Sequence, residues 1–130
     1  MHTLGTYLVN GECGNEGVAG APMLTFSLLV VSGSGKVSGH AMITQAIAPP
    51  HGEKIINNVT GQIHAAGYGP VTKLVALEGT YFETLQPPAI GTLEVPFTAH
   101  FAIDDAWNGR GGFECGNSRA ENVPVKTVAR

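Results

Sequence analysis

The twelve residues 92–103, TLEVPFTAHFAI, alternate almost without a break. Leu93, Val95, Phe97, Ala99, Phe101 and Ile103 share one parity, and Thr92, Glu94, Thr98 and His100 share the other. Successive side chains of an extended chain leave on opposite faces, so this pattern is a strand with one face against an apolar core. Pro96 falls on the polar parity and has no N–H to give a ladder, which predicts an edge strand or a bulge there.

The same period returns along the chain and predicts strands at 3–9, 23–32, 36–46, 57–66, 72–82, 92–103, 110–115 and 123–129. Clusters of turn-forming residues separate them: NGECGNEG, SGSG, APPHGE, GYGP, LQPPAIG, DDAWNGRGG and CGNSRAEN. With 18 Gly and 8 Pro in 130 residues, long helices have little room. No internal repeat or composition shift divides the chain, so residues 1–130 read as one domain. The predicted fold is all-β, an antiparallel β-sandwich of about seven to eight strands, with a flattened β-barrel as the alternative.

Residues 33–36, GSGK, have the ending of a phosphate-binding loop, and the surrounding residues reject it. The motif requires a glycine where Val30 stands and a hydroxyl where Val37 stands, with a helix after it. The segment after Lys36 is instead VSGHAMITQ, which alternates like a strand. A hairpin fits, and parity sets its register. Leu24, Phe26, Leu28 and Val30 meet Ile43, Ala41, Gly39 and Val37 only across a loop of even length. A two-residue type II′ turn at Gly33-Ser34 satisfies that condition. Leu29 and Val31 then point outward, and the expectation is that another element covers them.

Charge narrows the partners. The net charge is −3 and the seven Lys and Arg are scattered, whereas nucleic-acid binding needs clustered cations. No apolar run exceeds four residues, as at Leu28–Val31, so no membrane-spanning helix is expected. The start, MHTLGTYLVNG, lacks the basic residues and apolar stretch of a secretion signal, and the expected address is cytoplasmic, non-classical export aside. Cys13 and Cys115 are then expected as two free thiols, with one disulfide between them as the alternative. Neither has zinc-knuckle spacing, and neither lies beside a basic residue that would activate it. No metal and no cofactor is expected.

The loop IDDAWNGRGG, residues 103–112, holds the mixture a carbohydrate site uses. Asp104, Asp105 and Asn108 offer oxygens, Trp107 a stacking plate and Arg110 a forked donor. The competing reading is a turn at Asn108-Gly109, solvated by the aspartates, with Trp107 on the rim of the core. Calcium fits less well, because Ala106 stands where a second ligand belongs. His40, His64 and His100 fall on the polar faces of their strands, and a pair on neighbouring strands would make a metal or hydrolase site conceivable. NVT at 58–60 matches a glycosylation acceptor without a secretory signal to support it.

Residues 21–50, APMLTFSLLVVSGSGKVSGHAMITQAIAPP, resemble a family of small, β-rich proteobacterial proteins described as a domain of unknown function, and GRGGFECGN resembles its closing segment. The resemblance implies a bacterial source and an all-β domain, and it transfers no catalytic residues. The leading functional expectation is a non-enzymatic module that binds a protein partner or its own copy through a sheet face or strand edge. A carbohydrate-binding module centred on Trp107 and a small hydrolase using a strand histidine are the alternatives.

Overall fold

The structure, a computed structural model, describes residues 5–15, 18, 20–45, 53–85 and 87–128, with Tyr68 described through its backbone alone. Eight strands run in order: β1 (Thr6–Cys13), β2 (Met23–Val31), β3 (Lys36–Thr44), β4 (Glu53–Tyr68), β5 (Val71–Thr84), β6 (Thr92–Ile103), β7 (Gly109–Cys115) and β8 (Ser118–Thr127). Each pairs antiparallel with the next, and β8 returns to β1, so the sheet closes into an up-and-down barrel. There is no helix among the described residues. The fold is all-β and antiparallel as expected, and the barrel forms rather than the sandwich. Residues 3–4, 46 and 129 of the expected strands lie outside the described residues.

Closure rests on two features that local alternation does not display. One is the seam itself, where Gly11–Cys13 pair with Thr127–Val125. The other is curvature. Register shifts insert an extra residue in β4 between Val59 and Ile56, another in β4 between Ala65 and Tyr68, and one in β8 between Ala120 and Val123. Bulges of this kind bend the strand and raise its twist, which lets a sheet curl onto itself.

The bore is filled by side chains. Phe26, Phe97, Phe101, Phe113, Leu24, Leu28, Ile43, Ile56 and Ile103 are fully buried, and Phe26 stacks on Phe101 with centroids 5.2 Å apart. Eight strands enclose just enough space for such a filling. The outward parity carries Lys36, Ser38, Thr60, Gln62, Glu78 and Thr98, interspersed with exposed apolar residues such as Leu8, Leu29, Ile55 and Leu74.

The hairpin register follows parity: Val30 pairs with Val37, Leu28 with Gly39, Phe26 with Ala41 and Leu24 with Ile43. The turn type differs from expectation. The loop has four residues, Ser32–Gly35, and the left-handed residue is Gly35 (φ 73°), whose N–H donates to Val31 O at 2.8 Å. Gly35 also passes so close to β4 that its carbonyl accepts the Ile63 N–H at 2.8 Å, and that contact favours this loop over the tighter one. Leu29 and Val31 are exposed, so no described element covers them, contrary to expectation.

Pro96 sits where β6 is locally an edge. It pairs with Thr80, one residue beyond the last β7 partner, Phe97↔Cys115. The Thr80 N–H points the other way, to Asn58 Oδ1 on β4 at 2.8 Å, so the Pro96 nitrogen faces away from β5 and no ladder bond is lost.

Gly11 sets the tightest packing at the seam. A Cβ there would lie 2.5 Å from Phe26 Cζ and 2.7 Å from the Lys126 carbonyl oxygen. The Phe26 ring therefore occupies the space that any side chain at residue 11 would need. Gly11→Val is expected to cost about 2 kcal/mol or more, seen as a lower urea midpoint. Gly5→Ala, with nothing within 4 Å of its added carbon, is the control expected to leave the midpoint in place.

Candidate functional site

The β6–β7 loop is folded around Asp104. Its Oδ1 accepts the N–H groups of Ala106 (2.9 Å) and Asn108 (3.0 Å), and its carbonyl accepts the Trp107 N–H at 3.1 Å. This tight turn holds Trp107 at φ 64°, a conformation costly for a non-glycine residue, and aims the indole into the barrel. Trp107 is only 3% exposed, lies 6.2 Å from Phe26 and donates its Nε1–H to Tyr7 Oη at 3.2 Å. Of the two readings of this loop, Trp107 follows the one that packs it against the core and not the solvent-facing stacking plate, because a closed barrel needs its end plugged and the indole does so.

The other expected site residues separate. Asp104 is used up in its own turn, and Asn108 Oδ1 lies 3.4 Å from the Thr127 N–H, which donates to it. Arg110 leaves on the outer wall, where its Nε donates to Asn122 Oδ1 at 2.9 Å. Among them, Asp105 alone lines one mouth of the barrel. Its Oδ1 accepts from Thr72 Oγ1 (2.7 Å) and Lys73 Nζ (2.8 Å), and these bonds hold its carboxyl below the usual carboxylate range.

That mouth is a concavity of about 600 Å³, lined by Tyr7, Val30, Ser32–Gly35, Ile63, Ala65, Thr72, Lys73 and Asp105. Such mouths are a usual place for small-molecule sites. No sequence motif singles out Tyr7, although it shares the inward parity of Val9 within TYLVNGEC.

His64, His100 and Arg110 meet at a second place, a groove of about 490 Å³ on the outer wall floored by Ala76, Ala102 and Gly111. His40 lies elsewhere, opposite Ser27 and beside the first β4 bulge. The β8 bulge puts Asn122 at φ 52° and carries Glu121 Oε2 to 3.5 Å from His100 Nε2. Both side chains of this pair are half exposed or more, so nothing excludes water from chemistry there. No three His, Cys, Asp or Glu among the described residues are arranged to hold a metal. The Asn58 oxygen of NVT already accepts the Thr80 amide.

The opposite end contains a residue outside every expected motif. Lys54 pairs with Ile43 on the inward face and is 6% exposed. Its Nζ donates to Ser118 Oγ at 2.8 Å, and Ser118 donates onward to Gln45 Oε1 at 3.3 Å. Removing that hydroxyl takes an acceptor away from a buried ammonium. Ser118→Ala is expected to destabilise by about 1–3 kcal/mol, while Lys54→Met in the same background removes that cost, both read from urea unfolding.

Cys13 and Cys115 are free and buried. Burial, aided by the Glu121 charge, pushes the Cys13 thiol up from 9.0 to about 12, and burial raises Cys115 as well against the opposing Lys54 charge. Both thiols stay protonated at neutral pH and are poor nucleophiles. Because the folded state holds the Cys13 proton more tightly than the unfolded chain, the associated stability is full below pH 9 and is lost as pH rises toward 12. Melting temperature is thus expected to fall above pH 9, and less steeply in Cys13→Ala. Neither thiol is expected to react with Ellman's reagent before unfolding.

Residues 4–119 match the model of a family described as a domain of unknown function, DUF1842. No curated protein matches the chain.

Proposed function

We propose that this chain, which belongs to the DUF1842 family, is a non-enzymatic bacterial interaction module that pairs with its own copy through the outer face and open edge of β1. The observation that carries this reading is at Leu8. It is 72% exposed and directly opposite Leu29, itself exposed, with Val31 one row further along. The neighbouring pairs, Thr6↔Val31 and Asn10↔Ser27, add no charge to the strip. Contiguous apolar surface of this kind marks an interaction site.

The backbone supports a second copy as the partner. Asn10 O accepts the Val128 N–H and Gly14 N–H donates to Pro124 O, so even-numbered residues of β1 turn their peptide groups toward β8. β8 ends at Thr127, opposite Gly11, and no strand among the described residues receives Thr6 and Leu8 on that side. A second β1, antiparallel about a two-fold axis near Leu8, supplies matching donors and acceptors, because an antiparallel pair is itself two-fold symmetric. It brings Leu8 beside its own copy and extends the apolar row of Leu29 and Leu8 across the new pair.

Sedimentation velocity across a concentration series tests this. The expected result is a monomer–dimer equilibrium that shifts to monomer in Leu8→Lys and in Leu8→Pro, the latter removing an N–H only from the open edge. Both variants are expected to keep a near-wild-type melting temperature. Monomer at every concentration of the unmodified chain would overturn the reading.

A further inference from the structure

We propose that the barrel mouth beside Tyr7 is a binding site for a small, uncharged, polyhydroxylated ligand, such as a mono- or disaccharide. The inference is independent of self-association and rests on the chemistry arranged around the mouth. Its volume of about 600 Å³ lies within the range of small-molecule pockets. Val30, Ile63 and Ala65 give part of its lining an apolar character that suits the C–H face of a sugar ring.

The polar groups are of both kinds. Tyr7 accepts the Trp107 indole N–H, which leaves its own O–H to donate, and no described acceptor takes it. The Tyr7 side is 38% exposed, so its ring and hydroxyl are reachable from solvent. Across the mouth, Asp105 Oδ1 takes both bonds from Thr72 and Lys73, while Oδ2 has no partner among the described residues. Lys73 keeps further N–H donors, and Ser32 and Ser34 add hydroxyls to the rim. Donors and acceptors lining one mouth suit hydroxyls, each of which both gives and accepts. Lys73 and Asp105 are a salt bridge at 2.8 Å, so the mouth carries no net charge from its lining residues. A phosphate or carboxylate ligand would meet the Asp105 oxygen without an unpaired cation to offset it.

Trp107 is the one tryptophan in the chain, so its indole N–H gives one cross-peak in a ¹H–¹⁵N spectrum. Titration with glucose, galactose, maltose, myo-inositol and glucuronate is the test. The expected result is saturable movement of the indole, Thr72, Lys73 and Gly35 resonances with at least one neutral probe at millimolar concentration, and weaker binding of glucuronate. Asp105→Asn and Tyr7→Phe, which keep the side-chain shape, are expected to weaken that binding by about tenfold each. Silence across the neutral probes would overturn the proposal. So would unchanged affinity in both variants, or equal shifts from dimethyl sulfoxide, which has no hydroxyl.

Discussion

A barrel of eight strands has a bore that side chains must fill completely, and that packing requirement governs the rest of this molecule. Four phenylalanines and the branched residues of β2, β3 and β6 occupy the interior. Close packing of this density leaves almost no freedom for the wall, so large rings require a missing side chain opposite. Gly11 beneath the Phe26 ring is the sharpest instance, because it lies on the seam where β8 meets β1. If a side chain stood there, the ring and the β8 backbone would compete with it for one volume. With the bore committed to packing, any recognition has to happen at the mouths or on the outer wall.

Most of the wall was legible in the sequence because its signal is local. The 92–103 alternation became β6 with those limits, and the parity of residues 24–30 against 37–43 matched the β2–β3 register pair by pair. Leu93 departs from the pattern and is exposed, since β6 continues past the end of β7 there. The choice between sandwich and barrel was not legible. It depends on three residues of β1 meeting three of β8, more than a hundred positions away, and on bulges that break the very period used to find strands. Lys54 shows the consequence. Its inward parity matches Ile56, but the extra residue in β4 hands the inward face to Val59, so counting back from Val59 points Lys54 outward.

The candidate site was half legible for a similar reason. Composition identified 103–112 as the loop with chemistry in it, and Asp105 does line a mouth. Direction was hidden, because one carboxylate, Asp104, gathers three backbone N–H groups between its side chain and carbonyl and turns Trp107 inward. A tryptophan in a polar loop and a tryptophan plugging a barrel have the same local sequence. Tyr7 carried no motif, and its place at the mouth comes from standing opposite Val30 in the register of β1 and β2. Spatial neighbours from distant strands make the mouth, and single-sequence patterns do not encode them.

The two proposed surfaces are adjacent through the alternation of a single strand. Tyr7 points to the mouth and Leu8 to the outer wall, so neighbouring residues of β1 serve each. On one side this segment is laddered to β2, and on the other the ladder to β8 ends, among the described residues, with the Val128 N–H on Asn10 O. A strand held along one edge is freer to shift than one held along both. Fixing Tyr7 through its hydroxyl therefore also fixes the peptide groups of Thr6 and Leu8, and pairing that edge with a second copy fixes Tyr7 in return. Coupling between binding free energies is reciprocal. A ligand in the mouth that favours one position of β1 must favour dimerisation when the paired strand adopts the same position, and must oppose it when it does not.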